Sequence, residues 1–328
     1  MHKIVQNDCM TRSKEEYTTA HFVHIPHAQM ARIRRRRKHR RSALNTLRQL
    51  WKLCRNALSL RGKQVGRGTY NAVFECRLSK EYVFREPHAH ISQEDRDDEA
   101  RGQYDVDFMP THKNLLQQPF PNILTFASQI GVISPNITVL PRLDESLDSV
   151  YTKLCPSKGM DRNTLGCVMR GILCGVAHLH RHGRVHLDLK PDNVMIQWNG
   201  ATPGDLKDPR VCVKVVDYGF LETIGHKSEG RGSDGYKAPE QDNARCVHKA
   251  SADVYSLGVL LSELTLRPSS EPRRFVEWCT ARRKDPSMLE SEWKALSGWT
   301  AAEARTVSKC LHTDERKRTT LAMLQTLF

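Results

Sequence analysis

His186-Leu-Asp-Leu-Lys-Pro-Asp-Asn193 stands between a long run of helical periodicity, Asn163 to His180, and a short apolar stretch, Val194 to Ile196. In the run before it, Leu165, Val168, Met169, Ile172, Val176 and Leu179 recur at three- and four-residue spacing, which predicts one buried helix face. The stretch after it reads as a strand. The octet itself carries a carboxylate (Asp188), a cation (Lys190) and a neutral oxygen donor (Asn193) on one short loop. Phosphoryl transfer asks for such a set: a carboxylate to orient the attacking hydroxyl, a cation near the moving phosphate, and an oxygen ligand for a metal. An isolated Asp-x-x-x-x-Asn is usually a surface turn, and the helix and strand on either side set this one apart.

Downstream, Val211 to Val216 is an apolar strand that ends in Asp217-Tyr218-Gly219, with a polar insert around Asn199 to Lys207 between it and Asn193. Next come Gly232-Ser-Asp-Gly-Tyr-Lys-Ala-Pro-Glu240, then Ala252-Asp253-Val-Tyr-Ser-Leu-Gly258, and finally Asp314-Glu-Arg-Lys-Arg318. This ordered set resembles the eukaryotic-type serine/threonine protein kinase family over about residues 60 to 328. The resemblance implies an α+β, two-lobed protein kinase fold, with a small β-rich N-lobe at about 61–140 and a larger helical C-lobe at about 145–328. It also implies ATP and Mg²⁺ as cofactors and Ser/Thr hydroxyls of protein substrates as acceptors.

By the same resemblance Asp188 takes the base position, Asn193 and Asp217 hold metal, and Lys190, followed by proline, has the serine/threonine form. Tyr218 replaces a phenylalanine whose work is packing, so the change is tolerable. Ser233 would bond Asp188 and Lys190 and shape the acceptor pocket. Glu240 would pair with Arg318 as a buried rivet, and Asp253 would brace the loop around Asp188.

In the first third, Val65-Gly66-Arg-Gly68-Thr-Tyr-Asn71-Ala-Val73 resembles the glycine-rich loop whose backbone N–H groups approach phosphates. Asn71 stands for the third glycine, and asparagine tolerates left-handed backbone geometry. Tyr82-Val-Phe-Arg85-Glu aligns with the strand that carries the family's ATP-anchoring lysine, so Arg85 departs from the pattern. A planar guanidinium does not automatically replace an ammonium. Lys63 or Lys80 are the alternative anchors. The partner carboxylate on the charged, helix-compatible segment Ile91 to Tyr104 is expected at Glu99, with Glu94 as rival.

Leu187 fills the place where many kinases carry an arginine that binds an activation-loop phosphate, which argues against activation by that route. Leu140-Pro141-Arg142-Leu143, followed by Leu147, looks like the inter-lobe stretch of herpesvirus serine/threonine kinases. Arg85 and Asn71 motivate a second reading, a pseudokinase acting as a binding or scaffolding module. A small-molecule phosphotransferase of kinase-like fold is a third, opposed by Ala238-Pro239-Glu240 and Asp253.

The net charge of +14 is uneven: 15 of the 51 Lys/Arg but only 3 of the 37 Asp/Glu lie in residues 1–61, so +12 belongs there. Residues 1–41 read as a basic arm that culminates in Arg32-Ile-Arg-Arg-Arg-Arg-Lys-His-Arg-Arg41. Such a run fits nuclear import receptors; nucleic acid is a less favoured partner. Residues 42–60, with Leu44, Leu47, Leu50, Trp51, Cys54 and Leu58, predict an amphipathic helix flanking the N-lobe. Ten scattered cysteines without a Cys-x-x-Cys pair suggest neither zinc nor redox chemistry. With no signal-like start, and with the most apolar run, Val254 to Leu266, broken by Ser256, Gly258, Ser262 and Glu263, no membrane association is expected. An intracellular protein follows, with the nucleus favoured over the cytoplasm.

Overall fold

A computed structural model describes residues 61–67, 71–77, 79–117, 137–155, 157–227, 231–243, 247–266, 271–296 and 298–328. The basic arm, the helix expected at 42–60 and Gly68 lie outside the described residues.

Strands β1 (Arg61–Arg67), β2 (Asn71–Cys76), β3 (Ser79–Pro87) and β4 (Thr138–Pro141) form one antiparallel sheet in that order. The strand expected at Val83 to Glu86 runs longer, because it has a partner on each side: Arg85 pairs with Val73 on β2 and with Thr138 on β4. Arg85 therefore sits mid-sheet and is buried, at 8% exposure. Helix α1 (Gln93–Asp107) starts at Ser92, whose hydroxyl accepts from the Asp95 N–H, with acidic residues in its first turn as the helix dipole favours.

The C-lobe begins with β5 (Glu145–Ser146), α2 (Leu147–Leu154) and α3 (Arg162–Arg181). All six apolar positions of the predicted α3 face are buried. The short strand β6 (Arg184–Val185) precedes the quoted octet, and β7 (Val194–Gln197) follows it. β8 (Cys212–Val215) pairs antiparallel with β7, Val194 opposite Val215. This register brings Asn193 beside Val216, whose N–H donates to the Asn193 carbonyl at 3.0 Å. The polar insert between β7 and β8 is a series of turns, and β9 (Glu222–Thr223) returns to pair with β6.

Helices α4 (Ala250–Leu266), α5 (Pro272–Lys284), α6 (Pro286–Lys294), α7 (Ala301–Cys310) and α8 (Leu321–Gln325) complete the lobe. α4 is buried on nearly every face and forms the centre of the main core with α3 and α7. A second, small cluster joins Val83 and Leu140 of the sheet to Leu116 and Val216, with Met195 packed against it. It ties the sheet to β7 and β8, which Asn193 precedes and Asp217 follows. Among the described residues no helix is long and apolar enough to cross a membrane.

Candidate active site

The loop from His186 to Asn193 owes its shape to a carboxylate beneath it. Asp253, fully buried on α4, accepts hydrogen bonds from the N–H groups of His186 and Leu187, both at 2.9 Å, and pairs with His180 Nε2 at 2.8 Å. Burial alone would raise its pKa. The hydrogen bond from His180, the neighbouring His180 and His186 rings and the His186 N–H outweigh that and hold it below the ordinary aspartate value. Drawn inward in this way, Leu187 takes φ 66°. His186 Nε2 donates to the Val216 carbonyl at 3.1 Å, which joins the loop to the strand leading to Asp217.

Asp188 emerges from this turn with its carboxylate fixed on three sides. Oδ1 accepts from the Ser233 N–H at 2.9 Å, while Oδ2 accepts from Asn193 Nδ2 at 2.8 Å and lies 3.1 Å from Lys190 Nζ. Lys190 Nζ also donates to the Ser233 hydroxyl at 2.6 Å. The expected triangle of Ser233, Asp188 and Lys190 is therefore present, but Ser233 reaches Asp188 with its backbone and only Lys190 with its side chain. Asn193 Nδ2 donates to the Asp188 carbonyl as well, at 2.8 Å. Its amide nitrogen is thus committed, and the oxygen is the end left for a ligand.

Asp217 has φ 65° and a side chain 37% exposed, so it presents its carboxylate to the cleft. Tyr218 is fully buried. Its hydroxyl accepts from the Leu116 N–H at 3.0 Å and donates to the Val215 carbonyl at 2.8 Å; burial raises the phenol pKa, so it stays a neutral donor. Helix α1 presses directly on this turn. A Cβ added to Gly102 would stand 1.9 Å from the Tyr218 carbonyl oxygen, so only glycine permits the approach.

On the sheet side, Arg85 Nη2 lies 3.0 Å from Glu99 Oε1 and Nη1 lies 3.8 Å from Asp217 Oδ1. Glu99, and not Glu94, is the partner; Glu94 instead lines the neighbouring cavity. Lys63 and Lys80 are exposed, whereas Arg85 is buried. Asn71 differs from its expected role. It is not among the non-glycine residues with positive φ (Leu187, Asn199 and Asp217), and its Nδ2 bonds both oxygens of Glu99. Burial raises the Glu99 pKa, with Asp217 adding to the rise and Arg85 and Asn71 opposing it. Gly66 and Val73 lie side by side across β1 and β2, and Val65 is 43% exposed on β1.

Away from the cleft, Arg318 has a side chain with no exposure and grips Glu240 with both nitrogens, at 2.5 and 2.6 Å. It also donates to the carbonyls of His312 and Ser251. Sequence reading did not anticipate His180 or Gln241 as supports, nor the Glu99 contact of Asn71. A non-glycine at a glycine position was the one available signal for the last.

The donor set suits a hard divalent cation that keeps water and phosphate oxygens in its shell. Asn193 and Asp217 could offer it two oxygen ligands, and among the described residues no three His, Cys, Asp or Glu side chains form a closed metal site. A β-sheet lobe over a helical lobe, with these groups converging between them, defines a phosphoryl-transfer fold. A family model described as the protein kinase domain matches residues 60–327, and the chain belongs to that family, which uses ATP and a divalent metal.

Among relatives, the serine/threonine-protein kinase/endoribonuclease IRE1a of Arabidopsis thaliana is 37% identical over 101 residues, covering 29% of this chain and 11% of that protein. The calcium/calmodulin-dependent serine/threonine-protein kinase 1 of Oryza sativa subsp. japonica is 33% identical over 164 residues, or 47% and 24%. The serine/threonine-protein kinase chk1 of Schizosaccharomyces pombe is 28% identical over 123 residues, or 36% and 22%. The aligned parts thus span a quarter or less of each of these relatives.

Proposed function

We propose that this chain is an active serine/threonine kinase that moves the γ-phosphate of ATP onto protein hydroxyls. The observation that carries the reading is the three-sided hold on Asp188 by Ser233, Asn193 and Lys190. A carboxylate so fixed can orient an acceptor hydroxyl and take its proton without first reorganising. Lys190, already on the Ser233 hydroxyl, places positive charge where the transferring group gains negative charge. Arg85, paired with Glu99 and opposite the Val73 that faces Gly66, takes the place of the nucleotide-anchoring lysine. Mg²⁺, held by Asn193 and Asp217, would neutralise charge shared between the phosphates.

The test is purified protein with Mg²⁺ and labelled ATP on a generic basic protein, followed by phosphoamino-acid analysis. Phosphoserine or phosphothreonine is expected, and Asp188→Asn is expected to lower the rate about a thousandfold while the chain still unfolds in one cooperative transition. ATP binding without transfer by the wild type would leave the pseudokinase reading in its place.

The basic run Arg32 to Arg41 supports nuclear import as this kinase's route to its substrates. Deleting residues 1–41 should then move the protein to the cytoplasm and leave its activity on a soluble substrate near normal. The Leu140 to Leu143 stretch supports placing the chain with kinases of the herpesvirus type.

A further inference from the structure

Order in a kinase activation segment is commonly imposed by an added phosphate, through new arginine–phosphate pairs. In this chain the position before Asp188 is Leu187, buried and apolar, which offers a phosphate no charge. The knot that such a pair would tie is nonetheless present in another form. The buried Gln241 donates its Nε2 to the Leu187 carbonyl at 3.1 Å and to the Arg231 carbonyl at 2.8 Å, while its Oε1 accepts from the Ala238 N–H at 2.8 Å. Gly232, at φ 109°, makes room for this: a Cβ there would stand 2.7 Å from the Leu187 oxygen and 2.9 Å from Gln241 Nε2. One uncharged side chain thus joins the loop of Asp188 to the segment that bears Ser233.

Arg231 leaves this knot with its backbone fixed and its side chain directed to α1, where Nη2 lies 2.5 Å from Asp98 Oδ2. The two side chains are 18% and 20% exposed, so solvent and salt screen the pair less than a surface one. Asp98 also meets Arg101, at 2.6 Å, but that arginine is 59% exposed. Asp98 immediately precedes Glu99, and neighbouring residues on a helix point about 100° apart. One turn of α1 therefore gives one carboxylate to Arg231 and the next to Arg85.

The charge around the pair sharpens its role. A cavity of about 560 Å³ beside it is lined by six carboxylates, those of Glu94, Asp95, Asp98, Glu99, Asp188 and Asp217. Arg231 is the one cation among its lining residues. Arg85 already faces Glu99 and Asp217, and Lys190 faces Asp188, so Arg231 is the cation that joins Asp98 to the C-lobe; losing it leaves the α1 side of the cavity acidic and weakens the hold of α1 on the segment that bears Ser233.

We propose that Asp98 and Arg231 are positioning residues that hold α1 and the acceptor segment together without phosphorylation, so that the site is assembled as the chain folds. The proposal rests on the kinase reading and names the regulation of that site. It predicts an enzyme whose activity does not depend on a phosphate in the segment between Asp217 and Glu240.

The experiment compares wild type, Arg231→Gln, Asp98→Asn and the charge-swapped double variant Asp98→Arg/Arg231→Asp, each treated with phosphatase, by kinetics and by hydrogen–deuterium exchange. Treated wild type should keep at least half of its activity. Arg231→Gln should lower kcat tenfold or more with KM for ATP changed less than threefold. Asp98→Asn should cost about threefold, because it also relieves repulsion in the cavity. The double variant should recover to within threefold of wild type. In exchange, Arg231→Gln should loosen residues 93–107 and 231–243, and the double variant should restore them. A double variant no better than Arg231→Gln, or treated wild type that has lost its activity, overturns the proposal. If wild type transfers no phosphate yet the exchange pattern holds, the kinase reading fails and the latch stands; unchanged exchange in Arg231→Gln removes the latch whatever the activity.

Discussion

Asn71 Nδ2 lies 2.7 Å from Oε1 and 2.8 Å from Oε2 of Glu99, so the first residue of β2 holds the carboxylate that faces Arg85. A hydrogen bond to a charged group contributes about 1.5 to 3 kcal/mol. Asn71→Ala should therefore lower kcat/KM by about ten- to a hundredfold. Asn71→Gly, which restores the family's residue, should be no better. Steady-state kinetics with ATP varied checks both, and a gain in activity for the glycine variant would show that the contact is incidental.

Arg85 spans Glu99 and Asp217, and a lysine in its place meets them with a single ammonium. Arg85→Lys should keep activity within about tenfold of wild type, whereas Arg85→Ala leaves Glu99 buried without its cation and should destabilise by about 3 to 5 kcal/mol. The pKa of Glu99 is already raised by burial, and losing Arg85 raises it further. With the folded pKa above the unfolded one, the penalty belongs to the ionised form and is relieved as pH falls through the raised value. Urea denaturation should find the alanine variant closer to wild type at pH 5.5 than at pH 8, and a gap independent of pH would contradict this.

The Arg318 side chain has no exposure, and its guanidinium is spent on Glu240 and backbone carbonyls. Arg318→Met should lower stability by about 3 to 5 kcal/mol, because it strands the Glu240 carboxylate. The denaturation midpoint measures this; a loss below about 1 kcal/mol would mean that water reaches Glu240 unaided.

His112, His178 and His182 pack as tilted rings with centroids 4.7 and 4.3 Å apart. Burial, followed by the nearby cations Arg181, Lys113 and Lys214, lowers the His112 pKa; burial, then His112, His182 and Arg181, lowers that of His178 despite its bond to the Pro110 carbonyl. The folded values lie below the unfolded value of about 6.5, so above that pH the cluster costs nothing. As pH falls below it, the unfolded chain takes up protons that the folded chain resists, and stability drops. The melting temperature should fall from pH 7.5 to pH 5.5, and His178→Gln, which keeps an amide donor for Pro110, should flatten the slope. Parallel profiles would place the acid sensitivity elsewhere.

The residues readable from the sequence are those whose partners are set by short spacing or by a long regular element. Asp188, Lys190 and Asn193 share eight residues, and the α3 face before them declared itself by period. Glu99 and Glu94 were separable in principle by helical phase, since five residues turn a helix through more than a full circle, but only the docking of α1 decided which carboxylate met Arg85. The contacts that escaped join residues far apart in the chain: Asn71 to Glu99, Arg231 to Asp98, His112 to His178. No local pattern encodes such pairs, because they arise when two separately formed surfaces meet. Ser233 shows a subtler limit, since its identity was readable while the use of its N–H for Asp188 depends on the course of the backbone.

The Tyr218 hydroxyl, tied to the Leu116 N–H and the Val215 carbonyl, also bears on which synthetic compounds this kinase domain would accept. A compound that works by ejecting the aromatic ring of the metal-binding turn and filling its hole must here break two buried hydrogen bonds and strand a polar hydroxyl. Against a phenylalanine in the same seat it would face neither cost. At about 1 kcal/mol for each bond lost, such a compound would bind this chain about tenfold or more weakly. Compounds confined to the cleft in front of Asp217, which leave Tyr218 seated, escape that handicap and are the better starting chemistry.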